Sequence, residues 1–250
     1  MPRTMLSNAC WERVSALMKR TGRVYNKAEH RLTFEGILYR MRTGCPWRDL
    51  PSEFGQWNTV FRRFNLWSRK GVMSLLFKAL SLETDAEWVF IDASIVRAHQ
   101  HGHGAATAHD EAIGKSRGGQ TTKIHLAVDS YGLPVHFELS AGNVNDISHA
   151  HSLLDGAPIG EHVIADKGYD SAAFRARIEQ QGSVPVIPRR KTNKLGNEEL
   201  DWGLYKYRHL VENAFARIKH FRAISTRYDK LERNFSSMLA LAFVIMWLPM

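Results

Sequence analysis

The chain is poor in cysteine, with only Cys10 and Cys45 among 250 residues and no CxxC spacing. That excludes a disulfide framework and a thiolate zinc site, and it fits a reducing compartment. Long apolar runs are also missing. The longest, residues 238–250 (MLALAFVIMWLPM), has 13 residues, short of the roughly 20 that a membrane span requires. It reads as a buried helix. The first residues, MPRTMLSNACWERV, lack the apolar stretch of an export signal, so a cytoplasmic protein without a membrane partner is expected. There is no internal repeat, and 18 Gly with 8 Pro fit neither a collagenous nor a disordered chain. Acid is scarce relative to base: 25 Asp+Glu against 34 Lys+Arg give a net charge of +9. Such an excess attracts polyanions, with nucleic acid first among them.

The charge is unevenly placed. Residues 1–86 carry +8, residues 87–188 carry −5 and residues 189–250 carry +6. Two basic ends around an acidic middle match the opposite needs of phosphate contacts and metal-binding carboxylates.

The first third has helical spacing. Trp11, Val14, Leu17 and Met18, then Phe34, Ile37, Leu38 and Met41, recur every three or four residues, with Gly22 and Gly44 as stops. Asn58 is expected to cap a helix carrying Val60, Phe61, Phe64 and Trp67 inward, with Arg62, Arg63, Arg69 and Lys70 on or beside its other faces. Short helices joined by tight turns predict a helix-turn-helix-like unit over 1–86 that contacts DNA.

From residue 88 the pattern becomes β. WVFIDASIVRA, TTKIHLAVDSYG and LPVHFELSAG read as strands, the last two joined into a hairpin through SYGLP. Asp129 belongs to that turn. Asp146 is expected to cap a helix through HAHSLLDG; a short strand HVIAD, a helix SAAFRARIEQQG and a strand VPVIP follow, and the end is helical from about Leu204. This order predicts an α/β fold over 87–250, a ribonuclease H-like mixed sheet with flanking helices, preceded by the small all-α unit.

Three carboxylates stand out. Asp92 lies inside an apolar strand, where a charge is costly unless it is paired, hydrogen-bonded or metal-bound. Asp166 ends VIAD, where a strand's carboxyl end opens on a crevice. Glu212 shares a helical face with Tyr205, Arg208 and Lys219, at about 340°, 0°, 300° and 320° on a wheel of 100° per residue. The wheel alone also allows a solvated face with an Arg208–Glu212 ion pair.

The segments TFEGILYRMRTGCPWRDLPSEFGQWNTVFRRF, IDASIVRAHQHG, IGKSRGGQTTKIHLAVDSYGLP, GNVNDI, IADKGYDS and YKYRHLVENAFARIKHFRAISTRYDKL together resemble the DDE transposases of bacterial insertion sequences. The group is insertion sequence family five, related to family four. Its Tyr-x2-Arg-x3-Glu-x6-Lys signature is matched by Tyr205, Arg208, Glu212 and Lys219. The resemblance implies Asp92, Asp166 and Glu212 as the catalytic acids and metal ligands, with two Mg²⁺ or Mn²⁺ ions. It implies double-stranded DNA as partner, both terminal inverted repeats and target, and a homodimer when two ends are paired. A nucleoid-associated bacterial enzyme follows.

Tyr205, Arg208 and Lys219 are expected on the DNA backbone, as are Arg62, Arg63, Lys115, Arg117, Arg189 and Arg190. His99, His101 and His103 have no acidic or thiolate partner at fixed spacing and read as a loop near the cleft. The competing readings are a metal nuclease that stops at hydrolysis and an inactive DNA-binding regulator.

Overall fold

A computed structural model describes residues 4–22, 24, 27, 29–102, 104, 111–190 and 196–248. Four helices come first: α1 (Asn8–Arg20), α2 (His30–Thr43), α3 (Trp57–Arg69) and α4 (Val72–Ser81). Strands β1 (Trp88–Ala98), β2 (Gly114–Ser116), β3 (Gly119–Val128) and β4 (Pro134–Ala141) follow, then α5 (Ala150–Gly156), β5 (His162–Ala165), α6 (Ala172–Gln180) and β6 (Val184–Val186). The chain continues through α7 (Trp202–Tyr205), α8 (His209–Lys219), α9 (Arg222–Ser225), β7 (Thr226–Arg227) and α10 (Glu232–Trp247). Its contacts form two units. One comprises Met1–Leu82, Arg97–Glu111 and Ile218–Met250, the other Glu83–Val96 and Ala112–Arg217.

The first unit is helical. Gly44 ends α2 in the left-handed region at φ 69° and has no room for a side chain, because a Cβ there would lie 3.0 Å from the Cβ of Arg222. Asn58 is not a cap. Helix α3 begins one residue earlier, behind Gln56, whose side chain makes no capping bond. Trp47 packs on Phe61 and Phe64, with ring centroids 5.4 and 5.3 Å away, and lies under the Arg40 guanidinium. Arg40 in turn pairs with buried Asp229 at 3.3 Å. Helix α10 is buried continuously from Ser237 to Met246 and packs on α4, α3 and α2. A helix apolar all round needs cover all round, and the N-terminal helices supply it. Residues from Ile218 onward therefore group with them, whereas the strand pattern alone groups 87–250 together. No helix among the described residues is long and apolar enough to cross a membrane.

The second unit is built on the sheet. Its order is β2-β3-β1-β5-β6, with β4 also paired to β3. Strands β3 and β4 form the expected antiparallel hairpin, Thr122 opposite Ala141 through Val128 opposite Pro134. Asp129 closes it: its Oδ1 accepts the backbone N–H groups of Tyr131 at 3.0 Å and Leu133 at 2.8 Å. Strands β1, β5 and β6 run parallel. Helix α5 packs on β3 and β4, and α6 on β6. Asp146 is not a helix cap. It opens a 3-10 turn before α5 and pairs with Lys123 at 2.7 Å, since a lysine buried in β3 draws the nearest carboxylate to itself. The terminal helix is also not continuous from Leu204, because the 3-10 turn Lys206–Arg208 separates α7 from α8. The result is a mixed sheet with a leading hairpin and packed helices, preceded in the chain by a helical region, as expected.

Candidate active site

Strands β1 and β5 pair in register from Trp88 opposite His162 to Ile91 opposite Ala165. Continued by one residue, that register sets Asp92 beside Asp166, on neighbouring strands about 4.8 Å apart. The acid inside one strand and the acid just past the end of the other thus meet because the sheet aligns them. Asp166 leaves β5 and caps a single 3-10 turn, Lys167–Tyr169, its Oδ1 accepting the N–H of Gly168 at 2.7 Å. A Cβ at 168 would sit 2.7 Å from the same oxygen, so any side chain there would push the Asp166 carboxylate out of this position.

Asp92 Oδ1 accepts the N–H of Ala93, and Oδ2 accepts from Arg208 Nη1 at 2.8 Å. The other amino group of Arg208 donates to Glu212 Oε1. The 3-10 turn before α8 brings Arg208 within reach of both acids. The guanidinium therefore links the strand acid to the helix acid.

Burial pushes the Asp92 carboxyl up to about 6; the Ala93 N–H and Arg208 pull the other way, and Asp166 and Glu212 add to the rise. Burial works against charge on Arg208, but Asp92, Glu212, Tyr205 and Asp166 outweigh it and hold its pKa above the ordinary value. Burial raises the Tyr205 pKa, with Arg208 pulling the other way. The Tyr169 phenol is fully buried, and its hydroxyl has no hydrogen-bond partner among the described residues. Burial and the charges of Asp146, Asp92 and Asp166 hold it protonated.

Among the described residues no three His, Cys, Asp or Glu side chains stand close enough to hold a metal ion. A guanidinium stands where two of the acids would share one. The donor set itself, one carboxylate inside a strand, one just past the end of its neighbour and one on a helix, is all oxygen and suits a hard divalent cation, provided that Arg208 withdraws.

A family model described as "Transposase DDE domain" matches residues 83–247, which is more than half of the chain. The chain belongs to the DDE transposase family. A second model, "Putative transposase of IS4/5 family", matches residues 6–77 of this transposase. A Brucella ovis protein, "Putative transposase for insertion sequence element IS6501", is 35% identical over 128 residues, 51% of this chain and 98% of the relative. A Burkholderia cepacia protein, "Putative transposase for insertion sequence element IS402", is 34% identical over 120 residues, 44% of this chain and 54% of the relative. Among solved structures, a piggyBac transposase synaptic complex with hairpin DNA is 12% identical and covers 74% of this chain and 48% of its own, with a TM-score of 0.45.

The transposase's other expected site residues are spread over both units. Arg62 is exposed and Arg63 half-buried on α3. Lys115 and Arg117 are exposed on the β2–β3 hairpin, whose turn is fixed by Ser116 hydrogen-bonding Thr121 at 2.9 Å. Lys219 ends α8 two turns beyond Glu212 on the same side, and burial lowers its pKa. Arg189 has its main chain tied to Asn197 at 2.6 Å. Arg190 is exposed, and its Nε and Nη2 donate to the carbonyls of Lys167 and Gly168 at 3.3 and 3.1 Å. His99 stacks on Tyr228 with centroids 4.4 Å apart and touches His101, while His103 lies outside the described residues. Sequence reasoning misses Lys123, Asp146, Tyr169 and Asp170. The signal for Lys123 is available: a lysine inside the run TTKIHLAV must find a carboxylate or carbonyl.

Proposed function

We propose that this transposase cuts and joins DNA at the ends of an insertion sequence through Asp92, Asp166 and Glu212, with divalent metal held by those three carboxylates. The supporting observation is the strand register that aligns Asp92 with Asp166, together with the guanidinium link from Asp92 to Glu212. Three acids 74 and 46 residues apart (166 minus 92, 212 minus 166) share one cluster of charge.

In the protein alone, Arg208 balances the negative charge. Were the three acids to hold a divalent cation, Arg208 would be free of Asp92 and Glu212, and its planar fork could hold a DNA phosphate through two hydrogen bonds. Asp92, Asp166 and Glu212 would hold Mg²⁺ or Mn²⁺, two ions by preference, which would supply Lewis-acid polarisation of the phosphodiester. Water first attacks the phosphodiester at the element's end, and a 3′-hydroxyl departs. That hydroxyl then attacks a target phosphodiester, displacing the target's own 3′ oxygen, which receives the proton. Both steps are in-line displacements without a covalent protein intermediate.

Tyr205 and Lys219 lie along the same helical stretch to contact backbone. Lys115, Arg117, Arg62, Arg63 and Arg189 add phosphate contacts that carry position rather than sequence. The N-terminal helical unit over 1–86 binds the terminal repeats, and two copies pair on two ends.

The test is a labelled duplex carrying the element's own end, with target plasmid, in Mg²⁺ or in EDTA. The parent protein nicks and joins in Mg²⁺ alone. Asp92→Ala, Asp166→Ala and Glu212→Ala bind the duplex and join nothing. Nicking without joining by the parent would replace this reading with a hydrolytic nuclease, and joining by any one variant would falsify its acid's assignment.

A further inference from the structure

The geometry points to Arg190, held in place by Asp170, as a positioning residue for Asp166. This rests on the reading of Asp166 as a metal ligand given above. Asp166 sits at the free end of β5, and nothing in that four-residue strand fixes the turn beyond it. The turn makes its own bonds: Tyr169 donates its N–H to the Asp166 carbonyl at 3.0 Å and Asp170 to the Lys167 carbonyl at 3.3 Å. One 3-10 turn of three residues is weak by itself.

The stabilising contacts come from the segment after β6. Strands β5 and β6 pair in register up to Ile164 opposite Val186, so residues 187–190 run on beside the end of β5 and the turn that follows. There Arg190 sends Nε to the Lys167 carbonyl and Nη2 to the Gly168 carbonyl. These carbonyls belong to two of the three peptide units between Asp166 and Tyr169, and the first of the two also carries the N–H that Asp166 accepts. Asp170 secures the other side. Its Oδ1 accepts from Arg175 Nε at 3.0 Å, and its Oδ2 accepts the N–H of Arg190 at 2.8 Å. Arg175 also donates to the Ile187 carbonyl. The Asp170 side chain is only 8% exposed, so this carboxylate serves the turn and residues 187–190 rather than solvent.

A planar guanidinium bonding two successive carbonyls fixes their relative orientation, which one ammonium cannot do. Loss of such outer contacts lowers the metal affinity of a site about 10- to 100-fold. A phosphate-binding arginine behaves differently: its loss weakens DNA binding and flattens the salt dependence by about one unit of slope, and lysine replaces it in part.

The experiment uses the full chain and Mn²⁺ as probe, with free Mn²⁺ counted by electron paramagnetic resonance, beside duplex affinity at several salt concentrations. Arg190→Ala, Arg190→Lys and Asp170→Asn should each bind Mn²⁺ about tenfold more weakly, while duplex affinity and its salt slope stay at the parent values. Amide exchange over residues 167–170 should quicken in all three, which separates a loosened turn from a misfolded chain. Unchanged Mn²⁺ affinity in Arg190→Ala, with a shallower salt slope partly restored by Arg190→Lys, would overturn the proposal in favour of a phosphate contact. If Asp166→Ala leaves Mn²⁺ binding intact, the ligand assignment fails and positioning for it fails with it; exchange at the turn then still tells whether Arg190 clamps it.

Discussion

Asp92 and His125 tilt the pH dependence of stability in opposite directions. Asp92 titrates at about 6 in the folded chain against an ordinary 3.8. Between those values the folded form holds a proton that the unfolded form has lost, so this group's contribution falls as pH rises from about 4 to about 6. His125 is fully buried on β3, and burial followed by the neighbouring His149 lowers it to about 4 from 6.5. Here the unfolded form binds the extra proton, and the contribution rises with pH through about 4 to 6.5. The two slopes offset each other in the parent. Asp92→Asn removes the first and keeps the second, so the variant should gain stability relative to the parent as pH rises from about 4 to about 6. The gain is at most about 3 kcal/mol, read from urea midpoints across that range. A difference between variant and parent that stays flat would show that Asp92 ionises normally.

The β3–β4 hairpin depends on one carboxylate. Asp129 is fully buried and accepts from Tyr131, Leu133 and the Thr84 hydroxyl, the last at 3.0 Å. Asp129→Ala leaves those donors without their acceptor and should cost about 2–4 kcal/mol in urea unfolding; a loss under 1 kcal/mol would mean that the turn closes without it.

The elements were legible where one local rule decides. A turn signal between two β-branched runs gives this hairpin, and a carboxylate inside VFIDASIV needs a partner whatever surrounds it. They were not legible where a distant residue decides. Asp146 follows the capping rule in sequence, yet Lys123 on another element takes its carboxylate. Asn58 has the right chemistry for a cap, but the helix starts at Trp57. Arg190 looks like one more cation in a basic loop; only the β5–β6 register brings it to the carbonyls beyond Asp166. The face shared by Arg208 and Glu212 was visible on the wheel even though the helix breaks at residues 206–208, because Arg208 closes the break and still pairs with Glu212 one turn on.

Charge and apolar cover organise the chain beyond single elements. The basic ends and acidic middle match the proposed phosphate contacts and metal ligands, and composition alone carries that charge pattern. How residues 218–248 group was hidden from the strand pattern, because a wholly apolar helix says that it is buried without saying against what. The reading as a metal-dependent transposase stands on three acids from distant points of the chain meeting at one cation. The measurement that addresses this directly replaces Mg²⁺ with Fe²⁺ and adds peroxide and ascorbate, so that hydroxyl radicals cut the polypeptide beside the bound ion. Three cuts are predicted, near residues 92, 166 and 212, all suppressed by excess Mg²⁺ and all lost in Asp166→Ala. Cutting near one of these residues only, or at positions away from all three, would show that the acids do not share a metal and would contradict the proposed chemistry.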